Sequence, residues 1–375
     1  MVDLASKILF HDRLRFLITV AGVGFGVTLV LVQTGLFLGL MDNAASAVDH
    51  MDADIWVAAR NTPNIDFARA FPDTYVDQVR AIPGVLRADN LIVWFLRMAL
   101  PNGAQEGMEV YAMERFPVWN LPWTISEGNT ADLARGHFCM LDDSAVRRCG
   151  PFHTGEYREF LGSRLKIIAR SHDALSFTTA PMAFMDLRVA QSLTPELRGQ
   201  TTYIVVKLAP GANRDRVIAE IQRRLPYVDV HSREEWSSMS RMYWIKNVGL
   251  GMNLFTSVML GCLIAVMVVA QNLYTSTMEH VKEFGTVKAI GGGNGTIYRI
   301  LAKQATLSAL FGFWAGAGLA MVLRVALARG ADLKMLLGPH LWVATFLGTI
   351  VLCLFAAMIS FRKVSRLDPA MVFRG

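Results

Sequence analysis

One segment of this chain, residues 278–291, combines apolar and charged residues at a regular spacing. Four apolar residues recur at every third position: Val281, Phe284, Val287 and Ile290. This spacing predicts a short amphipathic helix that ends at a glycine. Such a helix can lie on a lipid surface or dock into the groove of a partner protein. The spacing alone leaves both interpretations open.

Residue patterns typical of enzymes are absent. No segment matches G-x-x-x-x-G-K-[ST], H-E-x-x-H or G-x-S-x-G, which bind phosphate, hold catalytic zinc or present a nucleophilic serine. The glycine-rich run at 291–295 has no lysine after it, so we interpret it as a turn. Asp142 and Asp143 could act as an acid–base or metal-binding pair, but carboxylates also favour the start of a short helix, here residues 144–148. We therefore predict no catalytic residue, cofactor or metal site on this chain.

Four long uncharged segments must position these residues: 17–41, 247–278, 304–323 and 341–361. An α-helix needs about 20 residues to cross ~30 Å of hydrocarbon, and its backbone must satisfy its own hydrogen bonds there. Buried helices of soluble proteins rarely stay uncharged for so long. No charge lies deep within a segment, which argues against an ion-coupled transporter. The predicted divisions are a tail at 1–16, spans at 17–41, 247–273, 301–325 and 340–361, an external domain at 42–246, loops at 274–300 and 326–339, and a tail at 362–375.

The first segment also resembles a cleaved signal peptide, because Lys7, Arg13 and Arg15 precede it and small residues at 45–47 follow it. However, the apolar core of a signal peptide is typically about 7–15 residues long. The uncharged stretch at 17–41 is longer, so we predict an uncleaved membrane anchor.

The distribution of lysine and arginine predicts the orientation of the chain. Both tails and the 274–300 loop are net positive, whereas the 42–246 region is net negative. We therefore expect both termini in the cytoplasm and the large domain outside, in a multi-pass protein of the bacterial inner membrane. The pI of about 9.2 reflects this bias, so we expect membrane lipid but no nucleic acid as a partner.

The 42–246 region has the pattern of an α+β domain. Its clearest unit is a strand at 203–208, an amphipathic helix at 214–225 and a strand at 228–230, which predicts split βαβ character. Further strands are predicted at 53–57 and 91–95, and a helix at 73–82.

Two helical extensions are expected to form a stalk between the spans and this domain. Ser232 reads as an N-cap with Glu235 three residues later, as in a capping box. The helix that it opens is predicted to run continuously into the second span, and residues 42–49 are predicted to prolong the first. The fold class is thus an α-helical membrane protein with four transmembrane helices and an α+β extracytoplasmic domain on a helical stalk.

Two of the four cysteines, Cys139 and Cys149, lie in the external domain. An oxidising compartment permits a disulfide between them, but the sequence does not show whether their geometry allows it. A disulfide and two free thiols both remain open.

The sequence E-F-G-T-V-K-A-I-G at 283–291 resembles the E-[IY]-[GA]-x-[LV]-[KR]-A-[ILM]-G motif of the MacB/FtsX/LolC-type (type VII) ABC transporter permeases. The likeness extends over most of the chain: one span, a domain of about 200 residues and three more spans follow the family's order. Residues 53–57 are similar to the first external strand of the family, and 367–373 to its terminal D-P-A segment. Residues 271–275 resemble the DevC subgroup most. The glycine-rich stretch after the motif departs from the family pattern.

The resemblance implies an exporter permease that works as a homodimer, with ATP and Mg²⁺ bound to a separate ATPase subunit. It implies mechanotransmission: closure of the ATPase dimer pushes the amphipathic helix and moves the external domain, together with a periplasmic membrane-fusion (adaptor) protein. The expected contacts with the ATPase are Glu279, Val281, Lys282, Glu283, Phe284, Val287, Lys288 and Ile290. An alternative is an FtsX-like regulatory protein in which the same motion activates an external cell-wall hydrolase. The exported substrate is not readable from the sequence.

Overall fold

The computed structural model describes residues 12–178, 180–280, 286, 293–331 and 333–364. These residues belong to two compact units. Met1–Gly39 and Leu250–Gly375 form the membrane unit, and Leu40–Gly249 form the inserted domain.

The helices and strands follow one another in this order: α1 Arg13–Asn43, α2 Ser46–His50, β1 Ile55–Ala59, β2 Phe71–Pro72, α3 Tyr75–Arg80, β3 Val85–Ala99, β4 Gln105–Ala112, β5 Ile125–Glu127, β6 Phe138–Asp142, α4 Ala145–Cys149, β7 Tyr157–Phe160, β8 Ser163–Ser171, β9 Met182–Met185, α5 Leu187–Leu193, β10 Gln200–Thr201, β11 Tyr203–Leu208, α6 Arg214–Arg224, β12 Val228–Ser232, α7 Arg233–Asn247, α8 Leu250–Glu279, α9 Asn294–Ala331 and α10 Pro339–Val364.

Four helices of the membrane unit, α1, α8, α9 and α10, are long and apolar enough to cross a membrane. Helices α1 and α9 approach closely at glycines: a Cβ on Gly316 would clash with the backbone oxygen of Gly24. At the same crossing, the hydroxyl of Thr28 donates to the carbonyl of Gly316 at 3.0 Å. Small residues let the backbones of two membrane helices approach closely, so that van der Waals contacts and interhelical hydrogen bonds hold the helices together.

The inserted domain is built on a ten-stranded sheet in the order β12-β1-β11-β3-β4-β9-β6-β8-β5, with β7 beside β3 and β8. Strands β11 and β12 both pair antiparallel with β1, so the unit β11–α6–β12 has another strand between its two strands. The split βαβ prediction is confirmed. The unit β1–α3–β3 is split in the same way by β11.

Alternation along β1 divides the core of the inserted domain in two, because successive side chains of a strand face opposite sides. Ile55 and Val57 pack with residues of α3 and α6. Trp56 packs on the other face, where Trp236 of α7 joins the same cluster. The side chains of Ile55, Trp56 and Val57 are all fully buried.

Helix α7 begins as expected but ends earlier. Ser232 caps it, since its hydroxyl accepts a hydrogen bond from the backbone N–H of Glu235 at 3.2 Å. The prediction of one continuous helix into the second span was wrong. Helix α7 stops at Asn247, and Gly249 adopts a φ of +66°, a left-handed conformation that ends helices and favours glycine. The extension of α1 is also interrupted, because residues 44–45 form a turn before α2.

Candidate functional site

The predicted ATPase contact begins at the last residue of α8, Glu279. Thr286 is helical and exposed. The other predicted contact residues lie outside the described residues: Val281, Lys282, Glu283, Phe284, Val287, Lys288 and Ile290. The structure therefore describes the end of α8, from which this segment continues, and the helix ends next to it.

Glu279 is held there by an arginine from the first helix. Arg15 donates from Nη2 to Oε1 of Glu279 at 2.8 Å, and its Nη1 pairs with Oε2. This is a bidentate pair, the geometry in which arginine recognises a carboxylate best. Asp12 lies on the other side of the guanidinium, with its Oδ2 at 3.5 Å from Nε. The pair ties the end of α8 to the start of α1.

A buried polar layer lies next to this ion pair. The side-chain amide of Asn272 on α8 donates to the hydroxyl of Thr19 on α1 at 2.9 Å, and Thr19 is only 4% exposed. Helix α9 contributes Gln304 and Ser308, which are fully buried and line the same small cavity. Three helices thus converge through polar side chains at this end.

The site combines an exposed ion pair with a more deeply buried polar layer. Glu279 is more than half exposed, so water screens its attraction to Arg15 and the pair can separate at little cost. The neighbouring polar layer is buried and favours one register of the helices. Among the described residues, no group of three or more His, Cys, Asp or Glu side chains could hold a metal ion.

Comparison with known proteins gives the family. A model for the MacB-like periplasmic core domain matches residues 16–224, more than half of the chain, and a model for the FtsX-like permease C-terminal domain matches residues 255–369. Uncharacterized ABC transporter permease Rv0072 of Mycobacterium tuberculosis is 26% identical over 375 residues, with 96% of each chain covered. The chain belongs to the MacB/FtsX-type ABC transporter permease family.

A second relative of the permease is Uncharacterized ABC transporter permease Rv2563 of Mycobacterium tuberculosis, which is 25% identical over 365 residues with 96% of each chain covered. The periplasmic region of MacB from Actinobacillus actinomycetemcomitans aligns with a TM-score of 0.40 and 9% identity over 50% of the permease and 92% of that chain. The two family models and the four long apolar helices give a multi-pass membrane protein whose inserted domain is periplasmic. The four long apolar helices and the α+β periplasmic domain are those that the sequence predicts.

Cys139 of β6 and Cys149 of α4 are free thiols in the permease. Both are buried in one apolar cluster. Burial raises the pKa of Cys139 to about 12 and that of Cys149 to about 11, so neither forms a reactive thiolate near neutral pH. The structure thus has two thiols where the sequence also allowed a disulfide.

Asp142 and Asp143 are both engaged in local structure. Asp142 is fully buried and accepts hydrogen bonds from the backbone N–H groups of Ser144 and Ala174 and from the hydroxyl of Ser171. Asp143 pairs with Arg170 at 2.6 Å. These contacts fit the structural interpretation, in which the carboxylates precede helix α4.

Sequence reasoning used Arg15 only as a basic residue before the first span and missed its partner. The signal was nevertheless present. The predicted spans place residue 15 just before the first span and residue 279 just after the second, on the same side of the membrane. Opposite charges at the two ends could have suggested the pair.

Proposed function

We propose that this permease is the transmembrane subunit of an ABC export system that couples ATP hydrolysis on a separate chain to movement of the periplasmic inserted domain. ATP and Mg²⁺ bind to the partner ATPase and not to this chain. The observation that carries the proposal is the match of residues 255–369 to the FtsX-like permease domain, because it includes the whole E-F-G-T-V-K-A-I-G segment that resembles the family's ATPase-contact motif.

The Arg15–Glu279 pair supports the mechanical part of the proposal. Helices α1 and α8 are the two membrane helices whose chains continue directly into the inserted domain. The pair joins them at the residue where the proposed coupling segment starts. A push on residues 279–290 would therefore act on both helices rather than on α8 alone.

The finer assignments are part of the same proposal. Both termini lie in the cytoplasm, the permease forms a homodimer in the bacterial inner membrane, and a periplasmic adaptor protein joins the inserted domain. Seven large apolar residues along α8 are exposed, a pattern that suits lipid or a second copy: Met252, Phe255, Met259, Leu260, Leu263, Ile264 and Met267. Among members of the family, we place the permease nearest to the DevC subgroup.

Detergent pull-down tests the docking step. The permease is co-expressed with the candidate ATPase subunit, and the ATPase recovered on the tagged permease is measured. Phe284→Asp should remove most of it, because burial of a phenylalanine side chain contributes about 1.5–3 kcal/mol and the variant places a carboxylate in an apolar groove. Lipid docking of the helix does not predict this loss, since detergent has replaced the bilayer.

Thr286→Asp is the matched control. It adds the same charge two residues away, on the opposite side of the predicted helix, where the wild-type side chain is exposed. ATPase recovery should stay near the wild-type level. Equal recovery with Phe284→Asp and the wild type would contradict the coupling assignment.

The identity of the periplasmic partner separates export from regulation. An adaptor protein that co-purifies with the permease favours an exporter. A murein hydrolase in its place would favour the FtsX-like alternative, in which the inserted domain activates a cell-wall enzyme.

A further inference from the structure

Two carboxyl groups in the inserted domain are buried against each other. Asp66 lies in the loop between β1 and β2, and Glu109 lies on β4. Asp66 is 8% exposed and Glu109 is fully buried. Their side chains are hydrogen-bonded to each other. Since two carboxylates offer only acceptors, this hydrogen bond requires a proton on one of them.

Neutral donors supply the remaining hydrogen bonds of the pair. Oδ2 of Asp66 accepts from Nδ2 of Asn64 at 3.0 Å and from Nε1 of Trp244 at 2.9 Å. Oε1 of Glu109 accepts from the hydroxyl of Tyr111 at 3.3 Å. Oε2 of Glu109 has no donor, so a proton on Glu109 that points to Asp66 completes the network.

No cation neutralises the pair in the part of the chain that the structure describes. The titratable groups that face it are Tyr111 of β4 and Tyr203 of β11, and burial raises the pKa of both phenols well above the ordinary value. Neither carboxyl forms an ion pair with lysine, arginine or histidine among the described residues. Two buried carboxylates without a counter-ion cannot both stay ionised, so they titrate as a coupled pair.

Titration of each group follows from this environment. Burial raises the pKa of Asp66 to about 6. Burial together with the neighbouring Asp66 charge raises the pKa of Glu109 well above its usual value. The pair therefore keeps one proton to a higher pH than an exposed carboxyl group does, and Trp244 and Asn64 donate hydrogen bonds to the Asp66 side of the pair.

The pair lies where helix α7 meets the sheet. Trp244 of α7 reaches Asp66 through its indole N–H and stacks on Phe177 at 3.8 Å. One turn earlier, the hydroxyl of Ser240 accepts from the backbone N–H of Ile65 at 3.3 Å. The hydroxyl of Tyr203 donates to the carbonyl of Ile65 at 2.9 Å. Residues 64–66 are thus fastened on one side to α7 and on the other to the sheet.

We propose that Asp66 and Glu109 form a proton-dependent latch that holds helix α7 and the 64–67 loop to the sheet of the inserted domain. The latch is closed while the pair holds at least one proton. Loss of the last proton places two negative charges side by side in an apolar environment, which breaks the Asp66–Glu109 hydrogen bond and loosens α7. Because α7 is the helix that directly precedes α8, the latch makes the attachment of this helix sensitive to periplasmic pH. The proposal does not depend on the identity of the ATPase or of the cargo.

Amide hydrogen exchange of the full chain in detergent tests the latch. Protection factors are measured by mass spectrometry for peptides that cover 64–67 and 240–247, after correction for the intrinsic exchange rate at each pH. In the wild type, protection should fall at least about tenfold between about pH 6 and about pH 9, since each pH unit above the ordinary pKa of a carboxyl group and below its pKa in the closed pair weakens the latch by that factor.

Two isosteric variants decide the outcome. Glu109→Gln and Asp66→Asn each keep the shape of the side chain but remove one of the two negative charges. Both should fold and give protection that changes little over the same pH range. Glu106→Gln on the same strand is the control, because this carboxylate is partly exposed and pairs with Arg148 at 3.3 Å; its peptides should follow the wild type. Parallel pH profiles in all four proteins would overturn the proposal, and so would failure of both Glu109→Gln and Asp66→Asn to fold.

Discussion

The Arg15–Glu279 pair of the membrane unit and the Asp66–Glu109 pair of the inserted domain neutralise an acidic side chain in two different ways. Glu279 is mostly exposed and forms a bidentate ion pair with Arg15. Asp66 is buried and has a second carboxyl as its partner. Water already stabilises the charge of Glu279, so its partner can leave and return. The buried pair has no such solvent, so a proton held between the two carboxyl groups limits it to one negative charge.

Because their environments differ, the two pairs are expected to contribute differently to the free energy of unfolding. An exposed ion pair gains little because solvent screens it and long side chains lose freedom when they pair. A buried network is costly to disturb, since each group left without a partner has also lost its water. A joint that opens during a transport cycle is better served by the first arrangement, and a fixed attachment that responds to pH by the second.

Removal of Trp244 should have the largest effect. Trp244→Ala loses the donor to Asp66 and the stacking on Phe177, and large-to-small changes at a buried aromatic residue cost about 3–5 kcal/mol. Chemical denaturation of the purified permease should show this loss in the free energy of unfolding of the inserted domain. Trp244→Phe keeps an aromatic ring on Phe177 and should lose only about 1–3 kcal/mol, the cost of one buried hydrogen bond. A Trp244→Phe variant as stable as the wild type would mean that the hydrogen bond to Asp66 has no weight.

The pH dependence of Asp66 should come next in size. Its pKa rises from 3.8 in the unfolded chain to about 6 in the folded domain. A group whose pKa is raised on folding contributes its full stability below the unfolded value and loses it as pH rises through the folded value. The rise from 3.8 to about 6 corresponds to roughly 3 kcal/mol.

Other carboxylates in the domain titrate over the same range, so the relevant quantity is the difference between the wild type and Asp66→Asn. The unfolding free energy of the wild type should fall relative to that of the variant between about pH 4 and about pH 6 and then stay level. A difference that is constant over this range would show that Asp66 titrates normally.

Charge reversal at the Arg15–Glu279 pair should have the smallest effect on stability. Arg15→Glu places two carboxylates together at an exposed site, and Glu279→Arg places two guanidinium groups there. Each single variant should lower the thermal midpoint slightly at low salt, and the double variant should restore it. High salt should remove most of these differences, because exposed charges are screened. A large loss that persists in high salt would mean that the pair is not the solvated contact described above.

The fold was largely predictable where local rules and tertiary packing agree. The strands β11 and β12 and the helix between them have clear alternation and clear turns, and their split pairing across β1 follows from connection rules. The strands within residues 105–201 were harder to predict from the sequence. Strand β8 alternates, with Leu165, Ile167 and Ala169 buried, but β4 carries Glu109 among its buried residues. A buried carboxyl breaks the apolar pattern that identifies a strand.

The Arg15–Glu279 pair and the Asp66–Glu109 latch also differ in how far the sequence predicts them. The coupling segment was found from its spacing and its family motif, and Arg15 and Glu279 could have been paired from the predicted topology. The latch could not be predicted, because Asp66 and Glu109 are 43 residues apart and meet only through the sheet order and the position of α7. Nothing in the local sequence of an aspartate or a glutamate indicates that tertiary packing will remove its water. The break at Gly249 was missed for a related reason, since a glycine between two helical patterns is compatible with either continuation or a stop.

Site-specific photo-cross-linking tests the central claim, that residues 279–290 dock onto a separate ATPase. A benzoylphenylalanine is placed at position 284 or, as the control, at position 286, and the permease is irradiated in native membranes together with the candidate ATPase subunit. Mass spectrometry then identifies the cross-linked partner. The account predicts that position 284 cross-links to the ATPase subunit and that position 286 does so far less. Cross-links from position 284 to lipid alone, with the ATPase present at normal levels, would contradict it.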